Sequence, residues 1–288
     1  MKLLLTGASG QAGRALTASA PSHVQIVART HAELDITSAD AIAAALRAVS
    51  PDVIVNAAAY TAVDKAESEP EAAWHANAEG PRLLAEAALR SGARLIHLST
   101  DFVFDGAAGR PYRPDAEPNP LNEYGRSKLA GERAISGVLP GRSVILRTSW
   151  VYSAGGSNFL LTVLRLLRGR DQVRIVDDQV GTPTAAASLA NAVWGLIEHP
   201  EIHGVHHFSD AGVASWYDFG VAIAEEAASL GLLKTAARVT PIPTGEYPRP
   251  ARRPPYSVLD KSSLAPLGLS PVHWRESLRL VLREMPRV

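Results

Sequence analysis

The sequence contains no cysteine, and this absence excludes disulfide bonds, thiolate metal sites and cysteine nucleophiles. It also has no excess of charge, because 29 basic residues balance 29 acidic ones and no long run of Lys or Arg occurs. Electrostatic capture of nucleic acid or of an anionic membrane is therefore not expected. A chain of 288 residues can bury a substantial core, and a small molecule is the favoured partner.

Long apolar runs are also missing. The segment MKLLLTGASG at the N-terminus contains apolar residues, but glycines interrupt it before a signal-peptide core or a membrane span could form. The expectation is a cytoplasmic protein with no membrane partner.

Short runs rich in Val, Ile and Leu alternate with alanine-rich helical patterns through the first half of the chain. The runs are KLLLT, VQIVA, DVIVNAA, RLIHLS and SVILRTS. Strands that alternate with helices indicate βαβ units and a parallel sheet. The sequence therefore predicts an α/β protein with a Rossmann-type, doubly wound parallel sheet.

The second half of the chain is less regular. FLLTVLRLLRG and SLANAVWGLIEHP still have helical patterns, but Pro and Gly become frequent after residue 200, as in TPIPTGEYPRPARRPPYS. We expect a cofactor-binding domain over residues 1–150 and a smaller, loop-rich substrate portion over about 151–288. The two are interleaved, since helices at about 157–200 are expected to pack back on the first domain.

A glycine-rich turn follows the first predicted strand. In TGASGQAG, Gly7, Gly10 and Gly13 are spaced three apart and lead into a helix, with Gln11 and Ala12 between the last two. Glycines at these places allow a tight turn and let backbone N–H groups approach a pyrophosphate. A purely structural turn would need the same glycines, but strand, glycines and helix together favour dinucleotide binding.

The end of the second strand bears on which dinucleotide binds. An acidic residue there would suit the ribose of NAD, but the strand runs into Arg29, whose guanidinium suits a 2′-phosphate. NADPH is thus favoured and NADH stays open, because Arg29 could also be an ordinary surface arginine. Asp35 and Ile36 are candidates to line the adenine edge.

Ser99, Thr100 and Asp101 end the fourth strand, at the sheet edge where such folds bind ligands. Thr100 could hydrogen-bond a substrate carbonyl or simply cap a turn. Tyr124 and Lys128 are four residues apart, which places them on one helix face, as an ordinary surface pair would also be. If the ammonium lowers the pKa of the phenol, Tyr124 can protonate a carbonyl oxygen that receives a hydride.

The segments TGASGQAG, STD and YGRSK together resemble the extended branch of the short-chain dehydrogenase/reductase superfamily. More narrowly, the chain resembles the dTDP-4-dehydrorhamnose reductase family. The matching segments, in order, are DVIVNAAAYTAVDKAESEPE, LSTDFVFDG, NEYGRSKLAGE, LRTSWVY, DDQVGTPT and YPRPARRP. The resemblance implies NADPH-dependent reduction of the C4 keto group of dTDP-4-dehydro-L-rhamnose, a dTDP-linked 4-keto-6-deoxy sugar.

The resemblance also implies roles for individual residues. Thr100, Tyr124 and Lys128 would be catalytic, with Lys128 also holding the nicotinamide ribose beside Ser99. The small residues Ala57, Ala58 and Ala59, followed by Tyr60, would pass beside the cofactor. Substrate contacts are implied for Val63, Thr100, Asp101, Phe102, Trp150, Gln179, Thr184 and Arg253. Trp150 could instead be a core aromatic, and Arg252 is as suitable as Arg253 by charge.

Two departures from the family pattern carry consequences. Phe102 replaces a frequent Tyr, so a hydrogen bond from that phenol is lost. Arg14 and Ala15 follow Gly13 where some members carry a Glu and dimerise through magnesium, so we expect no metal site and a monomer or weak homodimer. HGVHH at 203–207 reads as a strand with alternating side chains rather than a metal site.

Two other functions remain open. One is a nucleotide-sugar epimerase, dehydratase or other reductase on the same scaffold, although dehydratases need an Asp-Glu pair where this chain has Asp101-Phe102. The other is a non-catalytic NADP-binding protein that resembles the regulatory subunit of methionine adenosyltransferase.

Overall fold

Six parallel strands form the central sheet of the protein, whose computed structural model describes residues 1–233 and 237–286. In sheet order they are β2 (Gln25–Arg29), β1 (Lys2–Thr6), β3 (Val53–Asn56), β4 (Arg94–Thr100), β5 (Ser143–Thr148) and β10 (Gly204–His207). The five strands expected from the first half are confirmed. The chain reverses its winding direction between β1 and β3, which is where a doubly wound sheet opens a crevice for a ligand.

The sixth strand was not expected in this sheet. Residues 204–207 were predicted to be a strand, but local sequence gives no partner for it, and the structure pairs β10 in parallel with β5. The chain therefore returns to the first sheet after leaving it at residue 148.

The helices of the described ranges either cover the two faces of this sheet or form a separate core in the second half of the chain. They are α1 (Gln11–Ala18), α2 (Ala39–Val49), α3 (Val63–Ala66), α4 (Pro70–Trp74), α5 (Gly80–Ser91), α6 (Glu123–Val138), α7 (Phe159–Gly169), α8 (Ala186–Glu198), α9 (Trp216–Ser229) and α10 (Trp274–Arg283). Successive strand residues face opposite sides, so Leu3 and Leu5 pack with Leu189 and Val193 of α8, whereas Leu4 packs with Leu84 of α5. Each face thus has its own apolar core.

A π-helical segment, His75–Glu79, joins α4 to α5. Together with α4 and α5 it forms a nearly continuous helical run with this single irregularity. Pro81 lies in the first turn of α5, where it cannot donate a backbone hydrogen bond. Loss of that donor and the wider π turn occur together, as is common in interrupted helices.

The second half of the chain adds short strands and a separate core. The strands are β6 (Val151–Tyr152), β7 (Gln172–Val176), β8 (Val180–Gly181), β9 (Thr184–Ala185), β11 (Ala214–Ser215) and β12 (Arg238–Ile242). They pair two by two as β6–β9, β7–β12 and β8–β11. Tyr152, Phe219 and Leu278 belong to the core that joins α7, α9 and α10.

Single-turn 3₁₀ helices occur at Asp101–Val103 and Thr244–Glu246, and a longer one at Ser262–Leu267. Residues 234–236 and 287–288 of the expected substrate portion lie outside the described residues. Within the described ranges, no helix is both long and apolar enough to cross a membrane.

Candidate active site

The glycine-rich turn packs backbone directly against backbone at the β1/β3 crevice. Gly7 has φ of +71°, and a Cβ on it would lie 2.4 Å from the Ala58 nitrogen. A Cβ on Gly13 would lie 2.3 Å from the Gly7 carbonyl oxygen. Gly10 caps α1 without a side chain, which leaves the first-turn N–H groups facing outward. This cradle fits the pyrophosphate of a dinucleotide, because bulkier residues would fill it.

Gln11, a predicted cofactor residue, uses its side chain for another purpose. Its amide oxygen accepts hydrogen bonds from Ser153 at 2.9 Å and from Asn158 at 2.8 Å, and its amide nitrogen donates to the Val151 carbonyl at 3.3 Å. The side chain therefore ties α1 to the loop before α7. A cofactor contact from Gln11 is thus left to its backbone and stays a prediction. The same holds for Ala12, which is half-buried.

Arg29 lies where the sequence placed it, at the carboxyl end of β2 beside the glycine-rich turn. Its carbonyl accepts the Ala8 N–H at 3.0 Å. The Asp35 carboxylate accepts from the backbone and hydroxyl of Thr37, and these bonds lower the pKa of Asp35. Ile36 is buried, in contact with Gly80. Asp35 and Ile36 thus order their own turn, and their contact with adenine stays a prediction.

The segment after β3 runs along the same crevice. Ala57, Ala58 and Ala59 are each half-buried, and Tyr60 anchors the end of the segment. The Tyr60 N–H donates to Asn77 at 2.9 Å, and its phenol donates to Glu69 at 2.6 Å. The hydrogen bond to the Glu69 carboxylate raises the pKa of Tyr60. The three alanines leave room beside the crevice, which is consistent with their predicted position along a cofactor.

Thr100, Tyr124 and Lys128 come together at the carboxyl end of β4. Asn122 caps helix α6, and its side chain accepts the Gly125 N–H at 2.8 Å and donates to the Arg252 carbonyl at 2.7 Å. This cap sets the first turn of α6, and one turn separates Tyr124 from Lys128. Both are buried, so the alternative of an exposed surface pair is wrong.

Burial changes the acidity of both groups. It raises the pKa of Tyr124 to about 12, with a further rise from the Asp101 charge and an opposing effect of the Thr100 hydroxyl. It lowers the pKa of Lys128 to about 8, against the Glu132 charge, which raises it. The expected lowering of the Tyr124 pKa by Lys128 is not present in this arrangement. Lys128 Nζ instead donates to the Leu98 carbonyl at 2.7 Å.

Neighbouring side chains at the end of β4 point in opposite directions, as alternation along a strand requires. The Thr100 hydroxyl contacts Asp101 at 3.1 Å and accepts the Phe102 N–H at 3.1 Å. The Ser99 hydroxyl donates to Glu132, which forms a buried ion pair with Arg147 at 2.6 Å. A cofactor contact from Ser99 therefore stays a prediction for its backbone alone.

Asp101 is buried directly behind Thr100. Burial raises the pKa of Asp101 to about 6, although hydroxyl groups near it lower the value in part. Its carboxylate faces the Thr100–Tyr124 pair, where the charge makes ionisation of the phenol harder. Asp101 therefore acts on the candidate site electrostatically, and a direct substrate contact stays a prediction.

A cavity of 1290 Å³ opens next to this group of residues. Phe102 lines it and also meets the Tyr124 ring edge-on, with centroids 5.7 Å apart. The predicted residues Trp150, Gln179 and Arg253 line it as well. Aromatic side chains and six arginines are among the residues that line it, and the arginines are Arg165, Arg170, Arg174, Arg249, Arg252 and Arg253.

Trp150 has an unusual backbone and a stacked partner. Its φ is +47°, and its ring lies 3.5 Å from that of Trp216 at an interplanar angle of 5°. Thr184 is fully buried behind it and donates its N–H to the Trp150 carbonyl at 3.2 Å. Val63 packs beside Tyr124 rather than in the cavity wall. Thr184 and Val63 thus support the site from behind, and their substrate contacts stay predictions.

The family model for the RmlD substrate binding domain matches residues 1–287. The chain belongs to this family. It is 44% identical to a dTDP-4-dehydrorhamnose reductase of Streptomyces griseus over 281 residues, which cover 96% of this chain and 91% of the relative. It is 42% identical to that of Mycobacterium tuberculosis over 288 residues, 98% of this chain and 92% of the relative.

Solved structures agree with this RmlD assignment. A dTDP-4-dehydrorhamnose reductase from Bacillus anthracis in complex with NADP is 35% identical, with a TM-score of 0.93 and coverage of 99% of both chains. A reductase from Clostridium acetobutylicum is 39% identical, with a TM-score of 0.92 over 98% of this chain and 99% of that one. A UDP-glucose 4-epimerase from Thermus thermophilus, 21% identical, shares the fold at a TM-score of 0.83.

Two features of this RmlD family member bear on metal binding. The described ranges contain no group of three or more His, Asp or Glu residues that could hold a metal ion. Arg14, after the third glycine, donates to the Ser9 carbonyl and lies against Gly156. In strand β10, His207 is buried and its Nδ1–H donates to the Tyr112 carbonyl at 3.0 Å, and burial lowers the pKa of His207 to about 3.

Sequence reasoning missed several cavity residues. Trp216 follows the cap of α9, and Phe159 begins α7 and contacts the Trp216 ring at 4.6 Å. Both lie at helix N-termini after short strands or loops, a position that could have marked them as ligand-facing. The Arg249 and Arg253 guanidinium groups both pair with Asp64, at 2.8 and 2.7 Å. Arg249 was not predicted, and the alternation of Arg and Pro in YPRPARRP was the signal that could have found it.

Proposed function

We propose that this protein uses NADPH to reduce the C4 keto group of dTDP-4-dehydro-L-rhamnose, which gives dTDP-L-rhamnose. The observation that carries the proposal is the meeting of Thr100, Tyr124 and Lys128 at the end of β4, where Phe102 borders the large cavity. Two reductases of this name are 39% and 44% identical to the chain over 96% of its length, which supports the same reaction.

The cofactor would lie in the β1/β3 crevice. The backbone cradle of Gly7, Gly10 and Gly13 would hold its pyrophosphate, and Arg29 would hold the 2′-phosphate that distinguishes NADPH from NADH. When bound, the nicotinamide supplies the hydride that adds to C4 of the sugar. The related Bacillus anthracis reductase in complex with NADP supports this choice of cofactor.

The chain's own residues would manage the proton. With its pKa raised to about 12, Tyr124 keeps its proton at neutral pH and can give it to the oxygen that becomes a hydroxyl. The phenolate that remains is costly in a buried site, so the Lys128 ammonium would stabilise it. Thr100 would orient the same oxygen by a hydrogen bond. The Tyr124 pKa falls only when Lys128 turns its charge toward the phenol.

The cavity suits a nucleoside-diphosphate sugar. Arginine side chains match phosphate oxygens with paired N–H donors, and six line this wall. The stacked pair of Trp150 and Trp216 offers a flat apolar surface for a sugar or a base. Gln179 adds a polar group, held by its hydrogen bond to Thr244 at 2.9 Å. We propose that the sugar lies against Trp150 and that the diphosphate lies against Arg253.

We also propose that the two halves of the chain bind different ligands. Residues 1–150 would bind NADPH, and about 151–288 would bind the sugar nucleotide. The parts interleave, because α8 packs on the core of the first sheet and β10 completes that sheet.

The test is a turnover assay. Purified protein with NADPH and dTDP-4-dehydro-L-rhamnose should lose absorbance at the NADPH band, and NMR of the product should show dTDP-L-rhamnose. If NADPH binds but no 4-keto-6-deoxy nucleotide sugar is reduced, the regulatory, non-catalytic function takes the place of this proposal. Turnover with a different nucleotide sugar only would keep the chemistry and change the substrate.

A further inference from the structure

A chain of four buried polar side chains runs behind the candidate site. The Thr6 hydroxyl donates to the Asn56 amide oxygen at 2.6 Å, the Asn56 nitrogen meets His97 Nδ1 at 2.9 Å, and His97 Nε2 meets Lys128 Nζ at 3.2 Å. All four residues are at most 2% exposed. This series of hydrogen-bonded side chains crosses β1, β3 and β4 and ends at Lys128, a predicted catalytic residue.

The orientation of the Asn56 amide is fixed by its neighbours. Its oxygen accepts the Ala58 backbone N–H at 3.1 Å in addition to the Thr6 hydroxyl. A flipped amide would place an NH₂ group against that backbone N–H, and two donors would then face each other. The Asn56 nitrogen must therefore donate to His97 Nδ1.

This donor determines the tautomer of His97. Since Nδ1 accepts, a neutral imidazole carries its hydrogen on Nε2, which points at Lys128 Nζ. An ammonium at Nζ would bring a second donor to the same contact. A neutral amine satisfies every group, because its lone pair accepts from His97 while one of its N–H bonds donates to the Leu98 carbonyl.

We propose that Asn56 and His97 are positioning residues that hold Lys128 as a neutral amine against β4, so that the lysine gains its proton only when it leaves His97. The inference rests on the proposed function, in which Lys128 must be an ammonium to stabilise the Tyr124 phenolate. When Lys128 leaves His97, its neutral amine would take up a proton and become the ammonium that the reaction needs.

Other charged groups around Lys128 do not take over the role of His97 in setting its protonation. On its own helix, Glu132 is paired with Arg147 of β5, and Tyr124 stays protonated. Asp101, after β4, faces the phenol. The charged groups on the segments that pack against α6, which are α3, α4 and residues 75–79, have other partners or are exposed. Asp64 pairs with Arg249 and Arg253, Glu69 bonds to Tyr60, and Glu79 pairs with Arg82. The exposed groups are Lys65, Glu71 and His75. Burial holds the pKa of His97 well below its usual range, so this ring is neutral as well.

The first test reads the tautomer directly. Long-range ¹H–¹⁵N NMR spectra of histidine-labelled protein distinguish protonated from unprotonated ring nitrogens, and loss of one signal set in His97→Gln assigns the residue. We expect a neutral ring with hydrogen on Nε2 from pH 6 to 9. A hydrogen on Nδ1, or an imidazolium, would overturn the inference.

The second test reverses the tautomer with an isosteric change. In Asn56→Asp, one carboxylate oxygen can keep the Thr6 and Ala58 bonds while the other accepts from His97 Nδ1–H. His97 Nε2 then becomes an acceptor for the Lys128 ammonium. The alkaline limb of the kcat/KM profile, where Lys128 loses its proton, should move up by about one pH unit or more.

Thr6→Val is the matched control, because it removes a bond to the same Asn56 oxygen without changing the donor to His97. Its alkaline limb should stay at the wild-type pH. An unmoved limb in folded Asn56→Asp, or an equal shift in Thr6→Val, contradicts the inference. Absence of all sugar turnover would instead overturn the proposed function, and the NMR result would still decide the tautomer.

Discussion

Tyr124 and Lys128 are affected by burial in opposite directions, because burial disfavours whichever form of a group is charged. The pKa of Tyr124 rises to about 12 and that of Lys128 falls to about 8. Tyr124 therefore rests as a phenol, and the proposed reaction needs the charged form of Lys128, which burial makes easy to lose. Above pH 8 the ammonium is lost first, so activity should decline on the alkaline side through Lys128 and not through Tyr124.

Tyr124→Phe removes the proposed proton donor while it keeps the ring that packs against Phe102. We expect turnover to fall by about a hundredfold or more, the usual size of a lost general acid, with NADPH affinity retained. Steady-state kinetics and NADPH titration measure the two effects. Lys128→Met is the comparison, since it should lower both turnover and NADPH affinity. Wild-type turnover in Tyr124→Phe would refute the catalytic assignment.

Arg29 carries the prediction of cofactor choice. Arg29→Ala removes the guanidinium at the end of β2 and should weaken NADPH by about tenfold while NADH changes little, because only NADPH has a 2′-phosphate. Arg47→Ala, on the exposed side of α2, is the control and should affect neither cofactor. Dissociation constants for both cofactors decide the matter, and equal losses in Arg29→Ala would count against the assignment.

At the level of elements, sequence periodicity predicted β1 to β5 and the helices between them, since each pattern is local. Strand ends are also visible in sequence, so Thr100 and Trp150 could be placed at the edge of the sheet where such folds bind ligands. Periodicity could not place β10 beside β5 or pair β7 with β12, because a strand's partner is set by tertiary packing. The sequence also did not show which way each polar side chain points.

Gln11 and Ser99 illustrate that limit. Both lie at backbone positions that fit a cofactor, yet their side chains bond to the loop before α7 and to the buried Glu132. A motif fixes where the backbone goes, whereas the partner of a polar side chain depends on distant residues brought near by folding. The Tyr124 pKa was missed for the same reason, since burial outweighs a lysine that is held elsewhere.

Strand β8 offers a test of the aromatic wall. A Cβ on Gly181 would lie 2.7 Å from the Trp150 ring, so Gly181→Ala must displace the indole from its stack on Trp216. We expect the sugar-nucleotide KM to rise by about tenfold with NADPH affinity unchanged. Gly169→Ala is the control, since no atom lies within 4 Å of its Cβ. An unchanged KM in a folded Gly181→Ala protein would remove Trp150 from the substrate site.

For the whole molecule, the residue after the third glycine predicts independence from metal. Arg14 occupies the position where a magnesium-bound relative would carry an acid, and its guanidinium already bonds to the Ser9 carbonyl. EDTA should therefore leave both turnover and molecular mass unchanged. Light scattering and an activity assay before and after chelation check this, and a smaller species or a loss of rate would show that a metal contributes.

The return of the chain to its first sheet has a consequence for how the protein is made. All six residues of β5 are buried, and the strand that covers its outer side is β10, which is synthesised about sixty residues later. Until then β5 is an apolar edge with unpaired backbone groups, the kind of surface on which chains aggregate. A ribosome-bound chain that ends near residue 150 thus carries an open strand edge, which closes only after residue 207 has emerged.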